Sequence, residues 1–171
     1  DYSPVAGLEA GASFFAGNAA GGEDSIGSVP VLVLSADARY ALNLLSLRGV
    51  VAAISIGNAP EVNARYGNAV ADRITGVSLE AAYNFLPLLI PDTEEDLSLF
   101  FRWERYDTQA ATSGFAPLLQ YRRTDIQLGL TYKPLYNVAV KADYLWQRNA
   151  LNAGASANTG QLNVGVGYYF F

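Results

Sequence analysis

The 171-residue sequence contains no cysteine, no histidine and no methionine. The missing cysteine excludes disulfide frameworks, thiolate nucleophiles and thiolate metal sites. The missing histidine excludes Ser-His-Asp and Cys-His catalysis and most zinc chemistry. Glu80 and Glu104 are carboxylates of the kind that act as general acid and base, but no nucleophile or oxyanion hole accompanies them. We therefore predict no enzymatic activity, no cofactor and no metal site.

Charge is scarce as well. Charged residues make up 16% of the chain, hydrophobic residues 51%, and the net charge is -5. This composition is too apolar for a disordered chain, and it offers no basic surface to nucleic acid. The length fits one domain, residues 1–171. Because the chain starts at Asp1 and shows no signal peptide, we expect a processed, trimmed or partial chain.

No run of about 18 apolar residues is present, so a membrane helix is not expected. Apolar residues instead alternate with polar or small ones, which is typical of strands with two different faces. Eight segments show this pattern or are continuously apolar: 8–16, 32–40, 45–57, 77–85, 97–104, 125–133, 138–147 and 162–170. The segment 45–57 is apolar on both faces, which leaves its orientation open.

The predicted connections alternate in length. Long ones cover 17–30, 58–76, 108–119 and 148–160, and short ones cover 41–44, 87–96 and 134–137. Long outer loops and short periplasmic turns are typical of antiparallel barrels in bacterial outer membranes. With eight strands, both chain ends lie on the periplasmic side.

The apolar face is continuous in nearly every segment, and its aromatic residues gather toward the segment ends, as in the interfacial girdles of membrane barrels. The aromatic residues predicted at the membrane interface are Tyr40, Phe85, Trp103, Tyr132, Tyr144, Trp146, Tyr168 and Phe170. Since backbone groups in hydrocarbon must all be paired, the sheet must close. We predict an all-β, antiparallel up-and-down transmembrane β-barrel in a bacterial outer membrane. A soluble lipocalin-like barrel with the two faces reversed is the competing interpretation.

The chain ends in Gly165-Val166-Gly167-Tyr168-Tyr169-Phe170-Phe171. This ending resembles the terminal strand that Gram-negative outer-membrane barrels present to the barrel-insertion machinery, with Tyr169 and Phe171 as the insertion signal. Two stretches, 129–134 and 137–144, resemble the C-terminal strands of porins of the phosphate-selective-porin-like type. Such porins have about twice as many strands, so the resemblance implies that this chain is the C-terminal half of one. With Lys133 and Lys141 as its only lysines, the chain has no phosphate-selecting lysine series.

The other face carries most of the charge. Its predicted members, as pore-lining residues or internal ion pairs, are Glu9, Asp37, Arg39, Arg48, Glu80, Arg102, Glu104, Asp125, Lys133, Lys141 and Asp143. Two interpretations are open. These charges line a polar channel, or they pair to fill an eight-stranded barrel that is just wide enough for its own side chains.

Three connections carry possible secondary features. Residues 58–75 can hold one or two helical turns, as a constriction or as an ordinary surface loop. The acidic run at 92–96 lacks the ligand spacing of an EF-hand and is predicted to be a solvated turn. The glycine-rich run at 17–27 lacks the Gly-Lys-Ser/Thr of a phosphate-binding loop.

The sequence thus favours a porin-like protein that passes small hydrophilic solutes or ions by passive diffusion. The alternative is a closed, ion-paired barrel that acts structurally or in adhesion and recognition through its outer loops. The expected partners are the lipid bilayer, lipopolysaccharide and the barrel-insertion machinery, with a homo-oligomer left open and nucleic acid excluded.

Overall fold

The computed structural model describes residues 5–22, 27–150 and 156–170. Its eight strands are β1 (Leu8–Asn18), β2 (Pro30–Leu42), β3 (Leu45–Ile56), β4 (Arg73–Asn84), β5 (Asp96–Ala111), β6 (Arg122–Leu135), β7 (Val138–Ala150) and β8 (Ser156–Tyr168). Two short α-helices interrupt them, α1 (Ala59–Tyr66) and α2 (Leu86–Leu89). A single 3-10 turn covers Leu119–Tyr121.

The strands form one sheet in the order β1-β2-β3-β4-β5-β6-β7-β8, and every neighbouring pair is antiparallel. The predicted all-β, up-and-down arrangement of eight strands is therefore confirmed. The connections 43–44, 85–95 and 136–137 lie at one end of the sheet, here called the turn end. At the opposite end, here called the loop end, β1 leads to β2, β3 to β4, β5 to β6 and β7 to β8, and the fully described connections there are 57–72 and 112–121.

The alternating side chains give the sheet two distinct faces. On β6, Ile126, Leu128 and Leu130 are exposed, whereas Asp125 and Gly129, which occupy alternate positions, are buried. We call the face of Leu128 the outer face and that of Asp125 the inner face. The register extends both faces across all eight strands and resolves the open orientation of β3. Arg48 pairs with Arg39 and Glu80 and therefore belongs to the inner face.

The two strands at the ends of the sheet order are more accessible than those between them. Phe14 on β1 and Val164 on β8 are outer-face residues that are 78% and 72% exposed. Leu128 and Val140, on interior strands, are 41% and 37% exposed. Phe15 on the inner face of β1 is 59% exposed. Within the described part of the chain, the side chains of β1 and β8 are thus more accessible on both faces than those of the strands between them.

Buried side chains are few because the sheet has one layer. On the inner face, Phe100 is 4% exposed and lies against Gly129. A Cβ at Gly129 would lie 2.7 Å from Cε1 of Phe100, so this close approach requires glycine. In the described residues, no helix is long and apolar enough to cross a membrane.

Several predicted boundaries are wrong. The outer loop placed at 148–160 is much shorter, since β7 continues to Ala150 and β8 starts at Ser156. Strands β4 and β5 likewise extend into residues that the prediction gave to loops. Polar residues at the loop end break the alternation although their backbone still pairs in the ladder. The connection predicted as a short turn at 87–96 instead spans 85–95 and contains α2.

Phe85, predicted as an interfacial aromatic residue, lies just beyond the end of β4. It is the residue before α2, where it is half-buried and its backbone N–H donates to the carbonyl of Leu97 over 3.1 Å. The alternation of the sequence continued past Asn84, but the chain turns there because the Asn84 side chain accepts hydrogen bonds from the backbone N–H groups of Leu86 and Leu97. Phe171, one of the two insertion-signal residues, lies outside the described residues.

Candidate functional site

The inner face of β4–β7 is packed and hydrogen-bonded. Arg102 donates from Nε to Oε2 of Glu80 over 2.8 Å, and its Nη2 contacts the same oxygen. Its Nη1 reaches Oε1 of Gln127 at 3.5 Å. The two charged side chains are 31% and 20% exposed, so partial burial strengthens their attraction relative to a surface pair. Three neighbouring strands are joined by this arginine.

Asp143 forms the second cluster, on the turn-end side of Arg102. Its carboxylate accepts hydrogen bonds from Nε2 of Gln127 at 2.5 Å and from Nδ2 of Asn163 at 2.9 Å. Nearby, Nζ of Lys141 lies 4.1 Å from the ring centroid of Phe100. The nearly buried carboxylate is thus satisfied by two amide donors, which is the condition for a charged group to be tolerated there.

The remaining inner-face charges of this half lie closer to the loop end. Glu104 accepts a hydrogen bond from Oγ of Ser78 at 2.9 Å, and Asp125 accepts one from Nε of Arg123 at 2.8 Å. Glu80 is held by Arg102 while Glu104 is held by Ser78. The two glutamates therefore have structural partners, and the absence of enzymatic activity stays a prediction.

The inner face of β1–β3 has a different character. Glu9, Asp37, Arg39 and Arg48 are all exposed there. Glu9 is the cross-strand partner of Arg39, which in turn is the partner of Arg48. None of the four forms an ion pair within the described ranges. The inner face therefore combines a half whose charges are paired with a half whose charges are open to water.

Lys133 lies apart from both groups. It is near the turn end of β6, where its Nζ is 3.8 Å from Oδ2 of Asp96 and its side chain is 49% exposed. Asp96 also accepts a hydrogen bond from Nδ2 of Asn84, and Glu95 accepts one from the hydroxyl of Tyr132. These bonds tie the acidic connection to the ends of the strands. No cluster of three potential metal ligands occurs in the described residues.

The outer face bears a continuous apolar band. The row of paired residues that crosses all eight strands runs Ala10, Ala38, Gly49, Leu79, Trp103, Ile126, Trp146 and Gly160. Toward the loop end, the band extends six residues beyond this row on β1, to Ala16, but stops two residues short of it on β8, at Leu162. The band therefore crosses the hydrogen-bonded rows obliquely.

This slope measures the tilt of the strands. Eight residues over seven strand-to-strand steps correspond to about 39°, using about 3.4 Å per residue and about 4.8 Å between strands. Strands of outer-membrane barrels tilt by about 35–45°. On β7 the band covers Val138 to Trp146, which at this tilt is a height of about 21 Å, near the apolar thickness of such barrels.

The aromatic residues of the outer face lie near the two limits of this band. Trp103, Tyr144 and Trp146 are at the limit toward the loop end, and the rings of Tyr144 and Trp146 are 4.6 Å apart. Tyr40, Tyr132, Tyr168 and Phe170 are at the other limit, where the rings of Tyr168 and Phe170 are 4.4 Å apart. Tyr169 contacts Tyr136 edge to face at 6.1 Å.

The loop-end connections contact one another through polar residues that the sequence pattern did not single out. Gln109 is buried; its Nε2 donates to the carbonyl of Ala69 and its Oε1 accepts from the backbone N–H of Leu118. Asn63 on α1 bonds both backbone groups of Val70. The predicted helical turns at 58–75 are confirmed as α1. A glutamine within alternating polar residues carries no sequence signal for such a role.

No protein-family model matches the chain. An uncharacterized protein of Aquifex aeolicus (strain VF5) is 32% identical over 112 residues, which cover 58% of this chain and 24% of that protein. The chain therefore spans about a quarter of the length of this relative. The crystal structure of Neisserial surface protein A (NspA) matches at 19% identity, covering 95% of this chain and 94% of that one, with a TM-score of 0.32. The resemblance to porins of the phosphate-selective-porin-like type stays a prediction.

Proposed function

We propose that this chain is an outer-membrane β-barrel protein whose strands form the wall of a pore for small hydrophilic solutes or ions. The observation that supports a pore is the charged half of the inner face whose side chains are exposed to water, formed by Glu9, Asp37, Arg39 and Arg48. Charges of both signs on a wetted wall bind solutes weakly enough for them to leave again, as passive diffusion requires.

The membrane location is supported by the outer face. An exposed apolar surface that crosses all eight strands is far larger than the patches that soluble monomers expose. Its tilt, height and aromatic limits fit a bilayer, whereas a lipocalin-like barrel needs the charged face outside. The long connections then lie on the extracellular side and the turn end lies in the periplasm.

The pore requires more wall than eight strands provide, because an eight-stranded barrel is filled by its own side chains. The high exposure of β1 and β8 supports a wider barrel, in which the outer edges of these two strands pair with further strands. In a bilayer these edges cannot stay unpaired, since each bare N–H or C=O in hydrocarbon costs several kcal/mol.

The test of the pore is the conductance of the natural protein, extracted from its membrane and inserted into a planar lipid bilayer. We expect discrete steps, with a reversal potential in a salt gradient that depends on the inner face. Arg39→Gln should shift it toward cation selectivity, and Glu9→Gln toward anion selectivity. Shifts of opposite sign from two cross-strand partners are not produced by a general loss of structure. Absence of conductance, or equal shifts, would contradict the pore.

The second candidate is a barrel closed by these eight strands alone, acting in adhesion or envelope integrity through its loops. The observation in its favour is the packed half of the inner face, where Arg102 and Asp143 have their partners. Such internal pairs are what a plugged interior needs.

Cysteine cross-linking separates the two candidates, and the chain has no native cysteine to interfere. Continuing the slope of the outer band by one more step brings Ala12 of β1 nearest to Tyr168 of β8 in a closed eight-stranded barrel. A double Ala12→Cys and Tyr168→Cys variant tests this register, and pairs of Ala12→Cys with cysteine at Val166 or Phe170 test the adjacent ones. The positive control joins Ala12→Cys to Ala36→Cys, which are paired in the sheet.

For a pore we expect oxidation to cross-link the control pair within one chain and to leave all three test pairs without an intrachain disulfide. An intrachain disulfide formed in high yield by one test pair would mean that β1 and β8 meet. The proposed function would then be that of a closed barrel, which acts in adhesion or envelope integrity through its loops.

A further inference from the structure

The outer face carries arginines directly beyond the aromatic limit of the apolar band. Arg105 on β5 and Arg148 on β7 flank Thr124 of β6, to which both are paired in the register. The next outer-face residues toward the turn end are Trp103 and Trp146. With strands about 4.8 Å apart, the Cα atoms of the two arginines are separated by about 10 Å.

Both arginines are exposed, and neither forms an ion pair in the described part of the chain. Asp107, an acid on this part of the outer face, already binds Arg122 with an Nε–Oδ2 distance of 3.0 Å. The loop-end rim of β5–β7 therefore carries an excess of positive charge in a chain whose net charge is -5.

Two shallow grooves join this charge to the apolar band. One, of about 480 Å³, includes Val77, Arg105 and Arg122 in its lining. The other, also about 480 Å³, has Arg148 toward the loop end and Ile126, Tyr144 and Trp146 toward the band. Each groove thus offers apolar contact on the membrane side and a guanidinium on the aqueous side.

We infer that Arg105 and Arg148, with Thr124 between them, form a binding site for the phosphate groups of a lipopolysaccharide molecule in the outer leaflet. Guanidinium groups bind phosphate through two parallel hydrogen bonds, and they do so most strongly where water is partly excluded. The acyl chains lie along the apolar band while the phosphates lie at the level of the arginines. The inference rests on the orientation in the proposed function but not on the pore.

The two tryptophans of the chain report on this site, because Trp103 and Trp146 are one outer-face position from the arginines. The folded protein in neutral detergent micelles is titrated with the lipid A moiety of lipopolysaccharide, and tryptophan emission is recorded. We expect saturable binding that weakens as salt is added. The Arg105→Gln and Arg148→Gln double variant should bind at least about tenfold more weakly, as loss of two charge-assisted contacts implies.

The matched control is Arg65→Gln. Arg65 is an exposed arginine of α1, in a loop-end connection outside the strands β5–β7 that carry the site, so its loss should leave the affinity unchanged. Dephosphorylated lipid A should bind the unaltered protein as weakly as the double variant binds lipid A. This comparison needs no substitution and therefore stays informative if the variant folds poorly.

Three results would overturn the inference: equal affinity of the double variant and the unaltered protein, equal affinity for the dephosphorylated lipid, or full displacement by the same concentration of inorganic phosphate. The last would indicate an anion site without lipid preference. Loss of conductance leaves the lipid site intact, and loss of lipid binding leaves the pore intact, so the two proposals fail separately.

Discussion

Replacing Leu128 with arginine places a charge inside the apolar band on β6. Leu128 is 41% exposed on the outer face and is paired with Phe101 and Tyr144, so its side chain meets lipid in the proposed orientation. Thr124 lies four residues away on the same face, beyond the limit of the band. At the strand tilt of about 39°, these four residues correspond to a difference in depth of about 11 Å.

The expected cost follows from this depth. Arginine on the lipid face of an outer-membrane barrel costs about 2–4 kcal/mol at the midplane and about 0–1 kcal/mol near the interface. We therefore expect Leu128→Arg to lower the free energy of unfolding by about 2–4 kcal/mol and Thr124→Arg by about 0–1 kcal/mol. The measurement is reversible urea unfolding in phospholipid vesicles, followed by tryptophan emission. Equal costs at the two positions, or a neutral Leu128→Arg, would refute the assignment of the outer face to lipid.

Three further predictions concern the inner face and the loops. Gly129→Ala should destabilise the barrel by about 1–3 kcal/mol, because a Cβ there would overlap with Asp143, the carbonyl oxygen of Ala142 and the ring of Phe100. Gly165→Ala, where a Cβ meets nothing within 4 Å, should be nearly neutral, and equal urea midpoints of the two variants would contradict this reasoning. Arg102→Met should cost about 1–3 kcal/mol by leaving a half-buried carboxylate without its cation, and an unchanged midpoint would count against that pair. Asn63→Ala should speed proteolysis within 57–72 on intact vesicles without changing the unfolding midpoint.

The two faces of the sheet could be predicted because they follow from a local period of two, and the up-and-down strand order because long and short connections alternate along the chain. On β6, β7 and β8 the apolar residues at every second position lie on one face of the structure, as the alternation requires. Segment 45–57 could not be assigned, since valine and alanine occupy both of its faces, with leucine on one face and isoleucine on the other. Its register with β2 and β4 decides the question by pairing Arg48 with Arg39 and Glu80.

The strand ends were harder to predict than the strand centres. Apolar alternation stops where the membrane band stops, but hydrogen bonding between strands continues beyond it, as at Arg148 and Asn158. The sequence pattern therefore measures the lipid-facing part of each strand and underestimates its length. Phe85 shows the opposite error, because the alternation continues there while the Asn84 side chain turns the chain into α2.

The composition of the inner face was predictable, but its division into two halves was not. The alternation of apolar and polar residues assigns Glu9 and Arg102 to the same face and does not distinguish an exposed charge from a paired one. What separates them is the set of neighbours across the strands. Arg102 lies between a glutamate and a glutamine, both within hydrogen-bonding reach, whereas Arg39 lies between Glu9 and another arginine. Cross-strand register is a non-local property, so the sequence period alone cannot supply it.

The paired and the unpaired half of the inner face bear differently on the two candidate functions. If β1 and β8 met, the exposed charges of β1–β3 would enter the narrow interior of an eight-stranded barrel opposite the pairs already formed on β4–β7. Arg39 and Arg48 would then be neighbours of like charge in a confined space, where Glu9 and Asp37 would have to pair with them to offset desolvation. In a wider barrel the same residues stay hydrated and need no partner. The pore thus requires no rearrangement of the inner face, whereas the plugged barrel requires new ion pairs across β1–β3.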